Sequence, residues 1–145
     1  MTNRRKPPVG RGERVFLDSG IFIAALSRRD RWHEQAAALF ERSGVRMTTS
    51  LLVVSECHSW FLHRHGEQAA RQLQGFVAAL DRLTLLEATL EHHTRTLRML
   101  DRLRGSSLTY VDADSLAWLE VKKIDTVWGT DHHLGLTGAQ VLPRD

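Results

Sequence analysis

The chain has 145 residues, 42% of them hydrophobic and 26% charged, enough for one compact domain with its own core and no disulfide or metal staple. Its single cysteine, Cys57, excludes an internal disulfide and points to a reducing, cytoplasmic setting; no apolar run approaches the roughly 20 residues of a membrane span, and the basic amino terminus lacks the apolar stretch of a secretory signal. The formal net charge is +3, but residues 1–14 alone carry +4 (Arg4, Arg5, Lys6, Arg11 and Arg14 against Glu13), leaving −1 for the remainder, so composition permits a nucleic-acid partner without demanding one.

Residues 1–13 hold Pro7-Pro8, two glycines and a charge run without apolar periodicity, and are expected to form a mobile basic arm ahead of a single domain over 14–145. Arg14-Val-Phe-Leu-Asp18 is a short apolar run ending on an acid and predicts a buried strand. A short helix over Ile21–Leu26 follows. Trp32, Ala36, Leu39 and Phe40 recur at helical spacing and predict a helix over about 31–43, with Gly44 just past its end. Val45–Thr49 predicts a strand, and Ser50 opens a longer helix through Leu51, Val54, Cys57 and Phe61 that Gly66 breaks. Ala69, Leu73, Phe76, Val77 and Leu80 mark another amphipathic helix, Leu83–Leu86 a strand, and Leu90, Leu97, Leu100 and Leu103 the next helix. A last helix runs from Thr109 or Val111 to Val121, and Thr126–Thr130 and Gln140–Leu142 predict the final strands.

Strands alternating with helices imply a parallel sheet covered on both faces. Right-handed crossovers then point every strand's carboxyl end to one edge, where ligands of such sheets bind. Asp18 ends the first strand and Asp131 directly follows the Thr126–Thr130 strand, so both emerge there. Glu56 lies two turns into the helix leaving the second strand at that edge, and Asp112 sits in the first turn of another helix. Carboxylates brought together disfavour one another's ionised forms. A hard divalent cation such as Mg²⁺ or Mn²⁺, which prefers carboxylate and water oxygens, is the natural compensator and suits phosphodiester hydrolysis without a serine, cysteine or histidine nucleophile. Taken singly, an acid after a strand is ordinarily a cap or turn residue, and Thr109-Tyr-Val-Asp112 is itself a capping box. The joint pattern carries the functional reading.

In this pattern the sequence resembles the PIN-domain family, especially the VapC-type toxins of type II toxin–antitoxin systems. The matching stretches are Val15-Phe-Leu-Asp18-Ser19, Thr49-Ser-Leu-Leu-Val-Val-Ser-Glu56, Leu108-Thr-Tyr-Val-Asp112-Ala113 and Trp128-Gly-Thr130-Asp131-His-His133. Asp30-Arg-Trp-His33 is similar to the family's Asp-x-x-His segment. The resemblance implies a three-layer α/β/α sandwich with a central parallel sheet of about five short strands. It also implies endonucleolytic RNA cleavage with Mg²⁺ or Mn²⁺ held by the four acids, a small antitoxin protein as partner, and a homodimer. Two departures stand out. Asp114 adds an acid two residues after Asp112, a rotation of about 200° along a helix, so Asp112 is expected to face the site and Asp114 its rim. The basic arm is also longer than such toxins usually carry.

Other chemistries fit less well. The histidines include no i, i+4 helical zinc pair, and one cysteine supplies no thiolate set. Asp18-Ser-Gly20 lacks the second acid that an aspartyl-nucleophile phosphohydrolase needs. Ser19 and Thr130 either hydrogen-bond the acids from outside or satisfy local backbone groups, and His133 is expected to be a solvated loop residue rather than a phosphate contact. Trp32, Trp60, Trp118 and Trp128 read as core rather than as base-stacking platforms, and the arginines at 71, 82, 95, 98, 102 and 104 as solvated faces slightly ahead of an RNA groove. Two alternatives remain: a PIN nuclease in RNA processing with no antitoxin, and a non-catalytic RNA-binding module. A binder gains nothing from negative charge concentrated beside phosphates.

Overall fold

Val15, Phe16 and Leu17 have no exposed surface, as a strand covered on both faces requires. They form the centre of the sheet in a computed structural model that describes residues 12–144. Five strands, β1 (Arg14–Leu17), β2 (Arg46–Ser50), β3 (Leu83–Leu86), β4 (Thr126–Trp128) and β5 (Gln140–Leu142), lie in the order β3-β2-β1-β4-β5. Every pairing is parallel. Six helices connect and cover them: α1 (Ser19–Leu26), α2 (His33–Phe40), α3 (Leu51–His65), α4 (Glu67–Ala79), α5 (Leu90–Arg102) and α6 (Tyr110–Lys122). A 3-10 turn, His132–Gly135, precedes β5. The sequence did not signal that turn.

The chain winds outward from β1 through β2 to β3, then returns to place β4 on the other side of β1. The strand order therefore reverses between β1 and β4, where Leu17 is the register partner of Trp128. That switch point opens a crevice at the carboxyl edge. On one side, Phe40 packs edge-on against both Phe76 and Trp128, with ring centroids 5.1 and 5.5 Å apart, a favoured aromatic geometry. Trp118 and Trp128 are buried and Trp32 and Trp60 half-buried, so all four serve packing.

Several boundaries and faces differ from the sequence reading. The second helix stops at Phe40, and a turn carries the chain to Gly44 in the left-handed region at φ +76. In α3, Ser50 caps the helix by accepting from Val53 N at 3.1 Å. Its buried stripe keeps Cys57 and Phe61 of the expected set, with Val53 taking the inner face in place of Leu51 and Val54. The larger correction is α5. Leu90 is 87% exposed and Leu97 46% exposed, while His92, Thr96 and Met99 face inward. The facing helix explains this: α6 is buried all along Asp112–Leu119, so Asp114 lies inside the protein at 3% exposure and not at the site's rim. A buried carboxylate needs donors. Thr96 Oγ1 donates to Asp114 Oδ2 at 3.3 Å, and His92 stacks on Trp118 at 3.6 Å with its Nε2 bonded to Asp114 O at 3.0 Å. Polar residues therefore displace Leu90 and Leu97 from the inner face of α5, while Leu100 and Leu103 still pack against the core.

For residues 1–11 the expected arm lies outside the described residues. Gly12 abuts Gly44, whose carbonyl would meet a Cβ at 2.2 Å, and Glu13 O accepts from Arg46 N at 2.8 Å. No helix among the described residues is long and apolar enough to cross a membrane.

Candidate active site

Asp18 leaves β1 at the switch point. Its amide donates to Trp128 O at 2.9 Å, continuing the β1–β4 pairing, and the residue then becomes the N-cap of α1. The side chain is 3% exposed and its Oδ1 has no hydrogen-bond partner. Burial pushes this carboxyl up from 3.8 to about 7; the Ser19 backbone amide opposes the shift, and the charges of Glu56, Asp112 and Asp131 add to it. The four acids predicted from sequence thus act on one another across elements that are distant in the chain.

Each of the other three is held by a neighbour, distant in sequence for Glu56 and local for Asp112 and Asp131. Ser19 Oγ, at the first position of α1, donates to Glu56 Oε1 at 2.7 Å and so fastens α3 to the residue beside Asp18. Thr109 Oγ1 accepts from Asp112 N at 3.1 Å, and the Asp112 carboxylate bonds back to Thr109, completing the capping box. Burial raises the Asp112 carboxyl and Asp131 raises it further, while Thr109 and His133 pull it down. Asp131 caps the 3-10 turn, its Oδ1 accepting from His133 N at 2.9 Å. His133 Nδ1 also lies 3.0 Å from that oxygen.

Two glycines permit the approach of the β1 and β4 loops. A Cβ on Gly20 would meet Thr130 Oγ1 at 2.2 Å and Thr130 N at 2.9 Å; one on Gly129 would meet Asp18 Cβ at 3.1 Å. Neither glycine needs a positive φ. Both are sites of close backbone approach.

Ser19 is therefore a direct partner of an acid, whereas Thr130 packs over Gly20 and no hydrogen bond joins it to the acids among the described residues. His133, expected as a solvated loop residue, instead turns half-buried onto the Asp131 carboxylate. Its signal was its place two residues after Asp131, where a short turn folds the ring back onto the carboxylate. Among the described residues, the one group of three or more potential ligand atoms within 4.8 Å of one another is Asp131, His132 and His133. The four acids converge more loosely, as mutually repelling groups should. Asp30 and His33 do local work: Asp30 Oδ1 accepts from Trp32 N at 2.8 Å, and His33 Nδ1 bonds Ala24 O at 2.8 Å, tying α2 to α1. Cys57 lies beneath the site. Burial first, then the charges of Asp18 and Glu56, push its thiol up to about 12, so it is no thiolate nucleophile.

The arrangement gathers oxygen ligands around one buried, under-bonded carboxylate, which suits a hard cation better than a covalent nucleophile. The fold is similar to that of VapC20 from Mycobacterium tuberculosis, a sarcin-ricin loop cleaving toxin, with a TM-score of 0.79 and 22% identity over 86% of this chain and 95% of that one. It is also similar to VapBC2 from Rickettsia felis, bound to a DNA fragment from their promoter, with a TM-score of 0.60 and 13% identity over 91% of this chain and 99% of that one. No curated protein sequence matches the chain. Residues 15–135, which include Asp18, Glu56, Asp112 and Asp131, match the PIN domain, and on that match, with the parallel sheet that gathers those acids, the chain belongs to the PIN-domain family.

Proposed function

We propose that this protein is a divalent-metal-dependent endoribonuclease and the toxin of a toxin–antitoxin pair, with Asp18, Glu56, Asp112 and Asp131 as its catalytic, metal-holding residues. The observation that carries the reading is Asp18: buried, unpartnered at Oδ1, and surrounded by the charges of the other three acids. A protein that needed this residue only as a cap would gain from neutral neighbours. The donor set is carboxylate oxygen, which fits Mg²⁺ or Mn²⁺. Such an ion, when bound, supplies an acidified water and a positive charge at the scissile phosphate.

The chain's own residues supply the rest. Ser19 keeps Glu56 turned toward Asp18, and Thr109 keeps Asp112 at the first turn of α6. Thr130 sets the spacing of the β1 and β4 loops. His133 holds Asp131 from the solvent side. The likeness to VapC20, a sarcin-ricin loop cleaving toxin, supports RNA as substrate and toxicity as role. The likeness to VapBC2 supports an antitoxin partner; a small one covering the site with a basic side chain would offset the charge of the four acids. A homodimer and a cytoplasmic setting complete the proposal.

The test is cleavage of defined RNAs by the purified protein with Mg²⁺, with Mn²⁺ and with EDTA, alongside Asp18→Asn. Cleavage is expected only with metal and only in the wild type. Full activity in chelator would remove the metal mechanism, and full activity of the variant would remove Asp18 from it.

A further inference from the structure

Running from the amino-terminal edge of the sheet, opposite the acids, a cavity of about 480 Å³ is lined by Arg14, Arg46, Arg82 and Lys122 together with Thr48, Thr84 and three apolar side chains of β2 and β3. Among the described residues, no carboxylate lines it. Arg14 is the register partner of Arg46, and Met47 N bonds Arg82 O at 3.1 Å, so three arginines stand side by side where three adjacent strands begin. Neighbouring strands are about 4.8 Å apart, and like charges at adjacent places on a sheet repel. Neither Arg14 nor Arg82 has an acidic partner among the described residues. Arg82 also takes a left-handed backbone, φ 60, which side-chain-bearing residues rarely adopt. Strain of this kind gathers where a side chain is wanted for binding. In sequence, residues 1–11 hold Arg4, Arg5, Lys6 and Arg11 and no acid.

We propose that this arginine row is a second contact for the phosphodiester backbone of the RNA substrate, remote from the cleavage site. Guanidinium forks match phosphate oxygens bidentately, the threonine hydroxyls add donors, and a row of cations suits a polymer better than a single anion. The inference rests on the nuclease reading for the identity of its ligand. From Arg14 to Asp18 the backbone rises only about 13 Å, so an RNA held at both edges must exceed a few nucleotides, each stacked step adding about 3.4 Å.

The test is binding in EDTA, where the proposed cleavage is silent, by fluorescence anisotropy of labelled single-stranded RNAs of about 20 and about 4 nucleotides across a salt series. The full chain is compared with Arg14→Gln/Arg82→Gln and with a control pair, Arg71→Gln/Arg104→Gln, whose arginines are ion-paired to Glu67 and Asp101 on the surface. Arg82→Gly serves as a second variant, since glycine accepts the left-handed backbone and keeps the fold. The Arg14/Arg82 pair is expected to weaken the long RNA several-fold and lower the slope of log K against log salt by about 1.4, two single-strand phosphate contacts. The control pair and the short RNA should change little. Wild-type affinity and slope in the Arg14/Arg82 variant, or an equal loss in the control, overturns the proposal. So does displacement of the long RNA by polyglutamate at equal charge concentration, which would assign the row to an acidic protein. A wild-type protein that binds the long RNA through these arginines yet cuts none with Mg²⁺ or Mn²⁺ refutes the nuclease reading and leaves the contact standing.

Discussion

Replacing Asp18 by asparagine keeps the shape of the side chain and removes its charge. In the folded protein this carboxyl titrates near 7, against 3.8 as its ordinary value. The folded state therefore holds its proton more tightly than the unfolded chain. Stability from this group is fully present below about pH 4 and is lost as pH rises through 7. A gap of about three pKa units corresponds to about 4 kcal/mol at alkaline pH, an upper figure because neighbouring carboxylates share the adjustment. The amide removes the charge that burial and the three neighbouring carboxylates oppose, and it offers N–H donors where Oδ1, an acceptor, has no partner. Urea unfolding in EDTA is the assay. At pH 8 the variant should be more stable than the wild type by about 1–4 kcal/mol, and at pH 4.5 the two should agree within about 1 kcal/mol. Excess Mg²⁺ at pH 8 should narrow or reverse the gap, since an ion held by the carboxylate stabilises the wild type by mass action. A variant equally destabilised at both pH values would mean that Asp18 is a structural ligand of the backbone, and the electrostatic account of the site would fall.

Gly20→Ala places a methyl 2.2 Å from Thr130 Oγ1, so either the threonine turns away or the two loops part; a loss of about 1–3 kcal/mol in thermal or urea unfolding is expected. Gly20→Ala/Thr130→Ala should recover much of that stability by removing the obstructing hydroxyl, and no recovery would place the strain in the backbone instead. Thr109→Ala deletes the cap that accepts from Asp112 N and should cost about 1 kcal/mol, with Thr109→Ser near wild type. In a cleavage assay it should lower the rate more than Ser55→Ala, on an exposed position of α3. Equal rates would separate the capping box from the chemistry.

The placement of the acids was legible because it follows from two rules that act over the whole chain: alternation makes the sheet parallel, and parallel strands share a carboxyl edge. Asp18 and Asp131 need nothing more than their positions after β1 and β4 to meet. What failed to show was which side of a helix faces inward when the partner surface is polar. The leucines of α5 define a helix correctly, yet His92 and Thr96 win the inner face because Asp114 and Trp118 of α6 offer hydrogen bonds and a stacking surface there. For Asp114 the helical rotation separates it from Asp112, but α6 is covered on both sides, so turning away from the site means turning into the core. The return of His133 onto Asp131 depends on a one-turn 3-10 element too short to leave a periodic trace.

Capping and site chemistry, which compete as explanations of a single acid, are joined in this fold. Asp18 is the N-cap of α1, Asp112 lies in the first turn of α6, and Asp131 is the N-cap of the 3-10 turn. Helix starts carry unpaired N–H groups and a partial positive charge, so three of the four acids occupy backbone positions that favour an anion before any metal arrives. The contribution is unequal. Asp112 and Asp131 receive local bonds from Thr109 and His133, whereas Asp18 makes no side-chain cap bond and leaves an oxygen unpartnered. The repulsion that capping does not offset therefore collects on Asp18, the most buried of the set. Burial first, and then that repulsion, drive its carboxyl up to about 7, and it is the position where a cation would release the most strain.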